Sequence, residues 1–333
     1  MSESRQVITV LRPADPESPH SIPPGLDQIS DSAEVRLTDA EHIAGDIAGS
    51  DALFLWDFFS GALQEAWPAA DRLKWIHVAA AGVDTLLFDE LRASDVTVTN
   101  SQGIFDRPIA EWVLGAILAE AKDFHGNFRL KTTKTWDHRE TTRVQGATAI
   151  VIGTGAIGRE IARLLTSVGV NVTGAGRTAR ENDEDFGVVV ASEDLEEHVG
   201  GYDIIVNAAP LTAATVGLIG ATTLAAVKPG AHLINIGRGA SVDENALITA
   251  LREGPLGFAS LDVFEEEPLP QDSALWELEN VMIASHMSGD VHGWRDSLAE
   301  LFIDNAQRWL DGKSLFNVVD KDRGYVPGKR SAS

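Results

Sequence analysis

Short apolar segments alternate with polar, turn-rich segments along the first hundred residues. The apolar segments are rich in β-branched and aromatic residues, which is typical of strands, and they cover residues 7–11, 33–37, 52–56, 73–79 and 96–100. The polar segments between them are long enough to hold helices. This alternation predicts a small parallel α/β unit in the N-terminal part of the chain.

A longer helix is predicted from about Arg107 to Leu130. Pro108 suits the first turn of a helix, and apolar residues then recur on one helical face. We expect this helix to cross between two domains. The following segment, 132–146, is polar and is predicted to be a loop in which Trp136 covers apolar surface.

A second α/β series begins with ATAIVIGTG (147–155), a predicted strand that runs into Gly153, Gly155 and Gly158. An amphipathic helix, IGREIARLLTSVG, and a further strand, NVTGAG, complete the strand-loop-helix-strand context of a GxGxxG loop. Glycines at these positions permit a tight turn and the close approach of a pyrophosphate to the helix N-terminus. The sequence therefore predicts a dinucleotide-binding loop.

The strand pattern continues beyond this loop. Further strands are predicted at 202–210, 231–237, 256–264 and 280–286, and their C-terminal ends carry polar residues. Ligands bind at that edge of a doubly wound sheet. The last segment, 297–310, has the periodicity of an amphipathic helix and is expected to return to the N-terminal domain.

Composition narrows the class of protein. A chain of 333 residues with 44% hydrophobic content is about the right length for two domains. Its net charge of −23 argues against a nucleic acid or an anionic membrane as partner, and it fits either an ordinary solvated acidic surface or adaptation to high salt. We expect a cytoplasmic protein, because the sequence has neither a long uncharged apolar run nor an export signal at its N-terminus. No metal site is expected, because cysteine is absent and the nine histidines lack ligand spacing.

Several motifs together resemble the D-isomer-specific 2-hydroxyacid dehydrogenase family over nearly the whole chain. They are AAAGVD (79–84), GTGAIGREIA (153–162), APLTAAT (209–215), NIGRG (235–239), LDVFEEEPLP (261–270), SHMSG (285–289) and GKSLFNVVDKDRGY (312–325). The resemblance implies a Rossmann-type doubly wound nucleotide domain, residues 105–289, inserted into a smaller flavodoxin-like parallel α/β substrate domain, residues 1–104 and 290–333. It also implies a homodimer formed through the nucleotide domain, with the 132–146 loop as an arm.

The resemblance, together with the chemistry of the side chains, indicates a catalytic set of Arg238, Glu267 and His286. A 2-oxo acid needs a cation for its carboxylate and ketone oxygen, and a proton donor beside that oxygen. Arg238 would supply the cation, and His286 would give the proton during reduction or accept it during oxidation. A neighbouring carboxylate would orient the imidazole and favour its charged form. Glu265 and Glu266 compete for that role, and the Glu-Pro pattern of the family selects Glu267.

Other positions follow from the resemblance. The backbone N–H groups of Ala81, Gly82 and Val83 would complete the cradle for the substrate carboxylate, and Trp56 and His77 would shape the side-chain pocket unless they belong to the core. The predicted cofactor contacts are Gly153, Gly155, Ala156, Ile157, Gly158, Pro210, Ile236, Asp262 and Ser288.

The strand after the glycine loop departs from the pattern of NAD-dependent members. Many of these carry an acidic residue at its end, which binds the ribose hydroxyls of the adenosine. Here the strand ends at Gly176 and is followed by Arg177 and Arg180. Because cations favour a 2′-phosphate, NADP(H) is predicted to be preferred, with NAD(H) as the alternative.

The sequence thus predicts an NADPH-dependent oxidoreductase that reduces small 2-oxo acids, such as glyoxylate or hydroxypyruvate, to D-2-hydroxy acids. Two alternatives stay open at this point. One is a cofactor-sensing regulatory protein of the same fold, and the other is a phosphite or formate dehydrogenase. The complete Arg, Glu and His set favours an enzyme.

Overall fold

A computed structural model describes residues 5–15, 17–18, 20–58 and 60–327. The chain forms two compact units. The first combines Met1–Ile104 with Val291–Ser333, and the second, Phe105–Asp290, is inserted between these two segments. The assignment of substrate binding to the first unit and of dinucleotide binding to the second stays a prediction at this stage.

The first unit contains a five-stranded parallel sheet in the order β2-β1-β3-β4-β5. Its strands are β1 (Gln6–Leu11), β2 (Ala33–Thr38), β3 (Ala52–Leu55), β4 (Trp75–Val78) and β5 (Thr97–Thr99). All five lie within or beside the segments predicted from the apolar pattern. The central strands β3 and β4 are buried along their whole length, which explains their continuous apolar sequence. This strand order is the flavodoxin-like one, as predicted.

Short helices connect these strands. They are α1 (Asp27–Ser30), α2 (Ile43–Asp46), α3 (Ala62–Ala66) and α4 (Asp89–Ala93).

The second unit begins with two helices, where one was predicted. Helices α5 (Asp106–Ala121) and α6 (Phe124–Thr133) are separated at Asp123, whose backbone is left-handed with φ +48°. The Asp123 side chain caps α6 by accepting a hydrogen bond from the Gly126 N–H at 2.8 Å. The single predicted helix from Arg107 to Leu130 is therefore wrong, because Asp123 favours a helix start over helix continuation.

Helix α5 lies wholly within the second unit, where Val113 and Ile117 join a buried apolar cluster with Ile161 and Leu165. It does not serve as the predicted crossover between domains. Residues 134–146 form no helix or strand, in keeping with the predicted loop, but the expectation that Trp136 covers apolar surface is wrong for the described residues, because 98% of this side chain is exposed.

An eight-stranded sheet forms the centre of the second unit, in the order β13-β12-β11-β10-β6-β7-β9-β8. Its strands are β6 (Thr148–Ile152), β7 (Asn171–Gly176), β8 (Arg180–Asp183), β9 (Gly187–Ala191), β10 (Ile204–Asn207), β11 (Ala231–Asn235), β12 (Leu256–Leu261) and β13 (Val281–Ile283). All are parallel except β8, which forms an antiparallel hairpin with β9. This hairpin was not predicted from the sequence, because its strands are short and its turn is acidic.

Helices cover both faces of this sheet. They are α7 (Ala156–Ser167), α8 (Leu195–His198), α9 (Ala221–Ala226) and α10 (Glu244–Arg252). The order of the strands and the helices between them confirm the predicted two-domain, doubly wound α/β class.

The chain then returns to the first unit with helix α11 (Trp294–Leu310), which begins three residues before the predicted one. Its buried face includes Phe302, whose ring stacks on Phe54 with centroids 3.8 Å apart and lies 5.7 Å from Trp75. Burial of these aromatic rings joins the C-terminal segment to the parallel sheet of the first unit. No helix among the described residues is long and apolar enough to cross a membrane.

Candidate active site

The glycine-rich turn between β6 and α7 is shaped by close backbone approaches. Gly153 has φ +100°, and a Cβ there would lie 2.6 Å from the Ala208 carbonyl oxygen. A Cβ at Gly158 would lie 1.9 Å from the Gly153 oxygen. Gly155, in contrast, faces open space and is the N-cap of α7. The turn thus offers the first N–H groups of a 12-residue helix, including those of Ala156 and Ile157, beside the open space at Gly155. These features fit a pyrophosphate.

Buried amides fix the loops that follow β10 and β11. The Asn207 Nδ2 atom donates to Asn235 Oδ1 at 2.9 Å and to Ser241 Oγ at 2.6 Å. Asn235 Nδ2 and Ser241 Oγ both donate to the backbone oxygen of Arg238, at 3.2 and 2.5 Å. These three polar residues were not selected from the sequence, although Asn235 opens the NIGRG motif. Their network sets the backbone from which the Arg238 side chain extends.

Arg238 has extended backbone (φ −144°, ψ 144°), and its Nη1 atom donates to the Gly237 oxygen at 2.9 Å. The next residue, Gly239, allows this loop to approach the segment after β12, because a Cβ at Gly239 would lie 1.8 Å from the Phe264 carbonyl carbon. The glycine therefore brings the arginine loop against the segment that contains Glu267.

Asp262 organises the loop after β13. Its side chain is 1% exposed, and its carboxylate accepts hydrogen bonds from the backbone N–H groups of Met287, at 2.8 Å, and Ser288, at 3.1 Å. Its backbone oxygen accepts from the His286 N–H at 2.8 Å. These bonds hold His286 in a left-handed conformation with φ +52°. The predicted cofactor contacts Asp262 and Ser288 thus bind each other and fix the histidine backbone.

Glu267 and His286 form a directly hydrogen-bonded pair. His286 Nδ1 lies 2.8 Å from Glu267 Oε2, and the other carboxylate oxygen, Oε1, accepts from the Phe264 N–H at 3.0 Å. The His286 side chain is 36% exposed and the Glu267 side chain is 33% exposed. Glu265, one of the two competing carboxylates, instead exchanges backbone-to-carboxylate hydrogen bonds with Glu244.

The pair is electrostatically coupled to Arg238. The hydrogen bond to Glu267 raises the pKa of His286 above its ordinary value, against the opposing effects of burial and of the Arg238 charge. Burial alone would raise the pKa of Glu267, but the hydrogen bonds from His286 and Phe264 and the charges of His286 and Arg238 together lower it. A charged imidazolium beside a carboxylate is therefore favoured near neutral pH.

The three residues reach one edge of the sheet because their strands are neighbours. Arg238 follows β11, Glu267 follows β12 and His286 follows β13, and these strands are adjacent and parallel. The predicted contacts Pro210 and Ile236 follow β10 and β11 at the same edge, with Pro210 exposed and Ile236 buried. The carboxyl edge of a doubly wound sheet thus unites a cation, a poised acid and the glycine turn.

The end of β7 is small and is followed by cations. Gly176 is buried and Arg177 is exposed. Arg180 forms an ion pair with Asp183, Nε to Oδ2 2.8 Å, and the same carboxylate receives two hydrogen bonds of 2.9 Å from Arg159. Hydrogen bonding to Arg159, and then to Arg180, lowers the pKa of Asp183 against the effect of burial. Arg180 is therefore held by the hairpin itself, a contact that the sequence did not indicate.

The predicted substrate residues lie in the first unit. Trp56 is 5% exposed, and its Nε1 atom donates to the His20 oxygen at 2.7 Å. His77 is fully buried, with Nδ1 2.8 Å from Thr99 Oγ1. These contacts place both rings in the interior of the unit. Ala81, Gly82 and Val83 follow β4 in a loop whose Ala81 oxygen accepts from Asn100 Nδ2 at 2.6 Å.

No cluster of three or more histidine, cysteine or acidic side chains in the described part of the chain has the arrangement to hold a metal ion.

Comparisons with known proteins agree with this architecture. Residues 114–288 match the family model described as D-isomer specific 2-hydroxyacid dehydrogenase, NAD binding domain. The glyoxylate reductase of Thermococcus litoralis is 33% identical over 263 residues, covering 76% of this chain and 78% of that protein. The (S)-sulfolactate dehydrogenase of Chromohalobacter salexigens is 33% identical over 231 residues, covering 69% and 75%.

Solved structures extend the similarity to both units. An NADPH-dependent glyoxylate/hydroxypyruvate reductase from Sinorhizobium meliloti, in complex with NADP and sulfate, has a TM-score of 0.82 at 27% identity and covers 96% of this chain and 100% of its own. A D-isomer specific 2-hydroxyacid dehydrogenase from Xanthobacter autotrophicus Py2, in complex with NADPH and MES, has a TM-score of 0.79 at 30% identity, with coverage of 97% and 100%.

Proposed function

This chain belongs to the D-isomer-specific 2-hydroxyacid dehydrogenase family of NAD(P)-dependent enzymes, and we propose that it reduces small 2-oxo acids of the glyoxylate and hydroxypyruvate class to D-2-hydroxy acids with NADPH. The observation that carries the proposal is the hydrogen-bonded pair of Glu267 and His286 beside Arg238 at the carboxyl edge of the sheet. A binding protein without turnover would not need an imidazole whose pKa is raised by a carboxylate.

In the proposed reaction, His286 is the general acid. Glu267 holds the Nδ1 side of the ring, so the proton for the carbonyl oxygen of the substrate is delivered from Nε2. Arg238 binds the substrate carboxylate and polarises the carbonyl through its planar guanidinium. A reduced nicotinamide supplies the hydride when it is bound. In the reverse direction, neutral His286 accepts the proton from the hydroxyl group.

The second unit is proposed to bind the dinucleotide. Gly153, Gly155 and Gly158, with the N–H groups of Ala156 and Ile157, would hold the pyrophosphate, because Gly155 faces open space and the turn opens onto a helix N-terminus. Pro210, Ile236, Asp262 and Ser288 would line the path of the nicotinamide half along the same sheet edge.

The preference for NADPH is supported by the end of β7. Gly176 provides no carboxylate for a ribose hydroxyl, and Arg177 is exposed next to it. Arg177 is the more direct candidate for the 2′-phosphate, because it follows Gly176 immediately at the end of β7. NAD(H) remains the alternative coenzyme.

The first unit is proposed to bind the substrate carboxylate through the N–H groups of Ala81, Gly82 and Val83, with Trp56 supporting the pocket from the interior. We further propose a cytoplasmic homodimer formed through the second unit, with the 132–146 segment as an arm. The almost complete exposure of Trp136 supports an arm that is covered by another copy. Light scattering coupled to size exclusion would measure the mass, and a monomer would contradict this part.

The decisive experiment is a matched assay of the purified protein. NADPH absorbance is followed with glyoxylate and with hydroxypyruvate, and the product from hydroxypyruvate is analysed by chiral chromatography. We expect NADPH consumption, a D-configured product and slower reaction with NADH. Absence of turnover with a panel of 2-oxo acids would favour the cofactor-sensing alternative, and coenzyme reduction by phosphite or formate would identify a dehydrogenase of those anions.

A further inference from the structure

The side chain of Thr154 lies against the end of β7, where the nucleotide preference is proposed to be set. If Gly176 carried a Cβ atom, that atom would lie 3.0 Å from Thr154 Oγ1, 3.4 Å from Thr154 Cγ2 and 3.4 Å from Val189 Cγ1. A Cβ at Gly174, on the same face of β7, would lie 3.1 Å from Thr154 Cγ2. Both γ atoms of this threonine therefore pack against the glycine face of the strand.

We propose that Thr154 is a specificity-determining residue for the nucleotide: it fills the volume that an acidic side chain at position 176 requires. Residues 154 and 176 then act as a coupled pair. The strand end can gain a carboxylate for unphosphorylated ribose only when the residue at 154 is made smaller. This inference rests on the proposed function in one respect, that the glycine turn binds a dinucleotide.

The backbone around Thr154 cannot easily move to make room. Gly153 is fixed at φ +100° against the backbone of Ala208, and Gly158 packs against the Gly153 oxygen. Threonine is also branched at Cβ, which restricts its rotation. The contact with position 176 must therefore be relieved by the Thr154 side chain rather than by a shift of the turn.

The far side of the same strand face is occupied as well. A Cβ at Gly174 would lie 3.0 Å from Phe186 Cγ, so the Phe186 ring fills the space next to Thr154. Arg159 lies over that ring at 5.6 Å and is bound to Asp183 and Asp185. Phe186 and its ion-pair network enclose the face from one side and Val189 from another. Thr154 is the part of this enclosure that belongs to the glycine turn itself.

The test is a set of binding measurements that do not depend on turnover. NADH and NADPH are titrated calorimetrically into the wild-type protein and into Gly176→Asp, Thr154→Ala/Gly176→Asp and Thr154→Val/Gly176→Asp. Alanine removes both γ atoms, whereas valine keeps two γ atoms in nearly the same shape. We expect Gly176→Asp alone, and the valine double variant, to bind NADH no more tightly than the wild type. The alanine double variant should bind NADH roughly 10-fold more tightly, the lower end for a charge-assisted hydrogen bond.

A measurement without any nucleotide checks the contact itself. Thermal unfolding is compared for the wild type, Gly176→Ala, Thr154→Ala and the double variant. Gly176→Ala should lower the midpoint in the presence of Thr154 and lower it less in the Thr154→Ala background, because residues in direct contact do not act additively. Additive midpoints would overturn the steric coupling, even if an aspartate variant failed to fold.

Two binding outcomes would also overturn the proposal. One is that Gly176→Asp alone binds NADH as tightly as the alanine double variant, and the other is that the valine and alanine double variants behave alike. The wild-type titrations judge the proposed function separately. Equal affinity of the wild-type protein for NADH and NADPH would contradict the proposed NADPH preference. The role of Thr154 would still be decided by the difference between the Thr154→Ala/Gly176→Asp and Thr154→Val/Gly176→Asp variants. A wild-type protein that binds neither coenzyme would contradict both.

Discussion

Two histidines, one in each unit, show how position in an α/β sheet decides what the same side chain can do. His286 follows the end of β13, is about one-third exposed and is paired with Glu267, which raises its pKa. His77 lies within β4, is fully buried next to Thr99, and burial lowers its pKa to about 3. A strand end thus provides a titrating acid, whereas a strand interior provides a neutral ring that packs.

The largest expected effect is the loss of the exposed acid. In His286→Ala, the proton for the substrate oxygen has no donor, and turnover should fall by roughly 10²- to 10⁴-fold. Coenzyme binding should be largely retained, because the glycine turn is built from other segments. Steady-state kinetics and a coenzyme titration on the same folded preparation measure both. Near-normal turnover would show that His286 is not the proton donor. The contrast between a reactive histidine at a strand end and a packed histidine inside a strand would then not hold.

The next effect separates charge from geometry at the same sheet edge. Arg238→Lys keeps the positive charge but loses the planar fork, which binds a carboxylate with two parallel hydrogen bonds. We expect kcat/KM to fall by about 10- to 150-fold, as for the loss of one charge-assisted hydrogen bond, with both KM and kcat affected. Wild-type kinetics would place the carboxylate site elsewhere.

The Glu267→Gln variant tests the source of the raised pKa. Reduction requires protonated His286, so activity is lost as pH rises through the pKa of that residue. Removal of the carboxylate charge lowers this pKa, and the loss of activity should therefore begin at lower pH in the variant. At neutral pH, turnover should fall by less than roughly 10²-fold, the lower limit for removal of a whole general acid. An unchanged pH profile would contradict the pairing.

The buried histidine should affect stability rather than chemistry. The ordinary pKa of His77 is 6.5 and its folded value about 3, so between these values the unfolded chain binds the proton and the folded chain does not. Stability is therefore lost as pH falls through this window, by about 2 kcal/mol from this residue between pH 7 and pH 5.

In His77→Gln the side chain stays neutral. The part of the stability loss between pH 7 and pH 5 that comes from His77 should therefore disappear. Denaturant unfolding at pH 7 and pH 5 measures the difference, and an equal loss of stability in wild type and variant would show that His77 is not the titrating group. His232, also buried, with its pKa lowered to about 3, adds the same kind of sensitivity in the second unit and is left unchanged in this comparison.

The apolar pattern was sufficient for most of the fold, because buried parallel strands must be continuously apolar. Strand β7 was predicted with its exact limits, Asn171–Gly176, and the other strands except β8 and β9 within a few residues. The helix break at Asp123 and the β8–β9 hairpin were missed because they depend on a local cap and on ion pairs among Arg159, Arg180 and Asp183. The cap and the Arg180–Asp183 pair join residues three apart and the Arg159–Asp183 pair joins residues 24 apart, but all are polar contacts, which the period of the apolar residues does not report.

The candidate site was predicted in part, since its charged side chains stand at recognisable strand ends. The sequence did not reveal the supporting polar groups, Asn207, Asn235 and Ser241, because a buried amide looks like any other polar residue until its partners are known. It also gave no sign that Trp56 donates to the His20 carbonyl, or that Thr154 fills the space beside Gly176.

The smallest expected effect concerns a buried amide of the first unit, Asn100, which is 2% exposed. Its Nδ2 atom donates to the Ala81 oxygen at 2.6 Å, and its Oδ1 atom accepts from the Gln102 N–H at 3.2 Å. If Ala81 lies in the substrate cradle, Asn100→Ala should raise KM by about 2- to 12-fold, the range for one neutral hydrogen bond, with kcat nearly unchanged. Asn317→Ala is the matched control, because Asn317 donates to the Asn100 and Gln102 oxygens but not to Ala81. A fall in kcat with unchanged KM in Asn100→Ala would show that interior amides, like the strand-end side chains, act on the chemical step, and the distinction between the two regions would then fail.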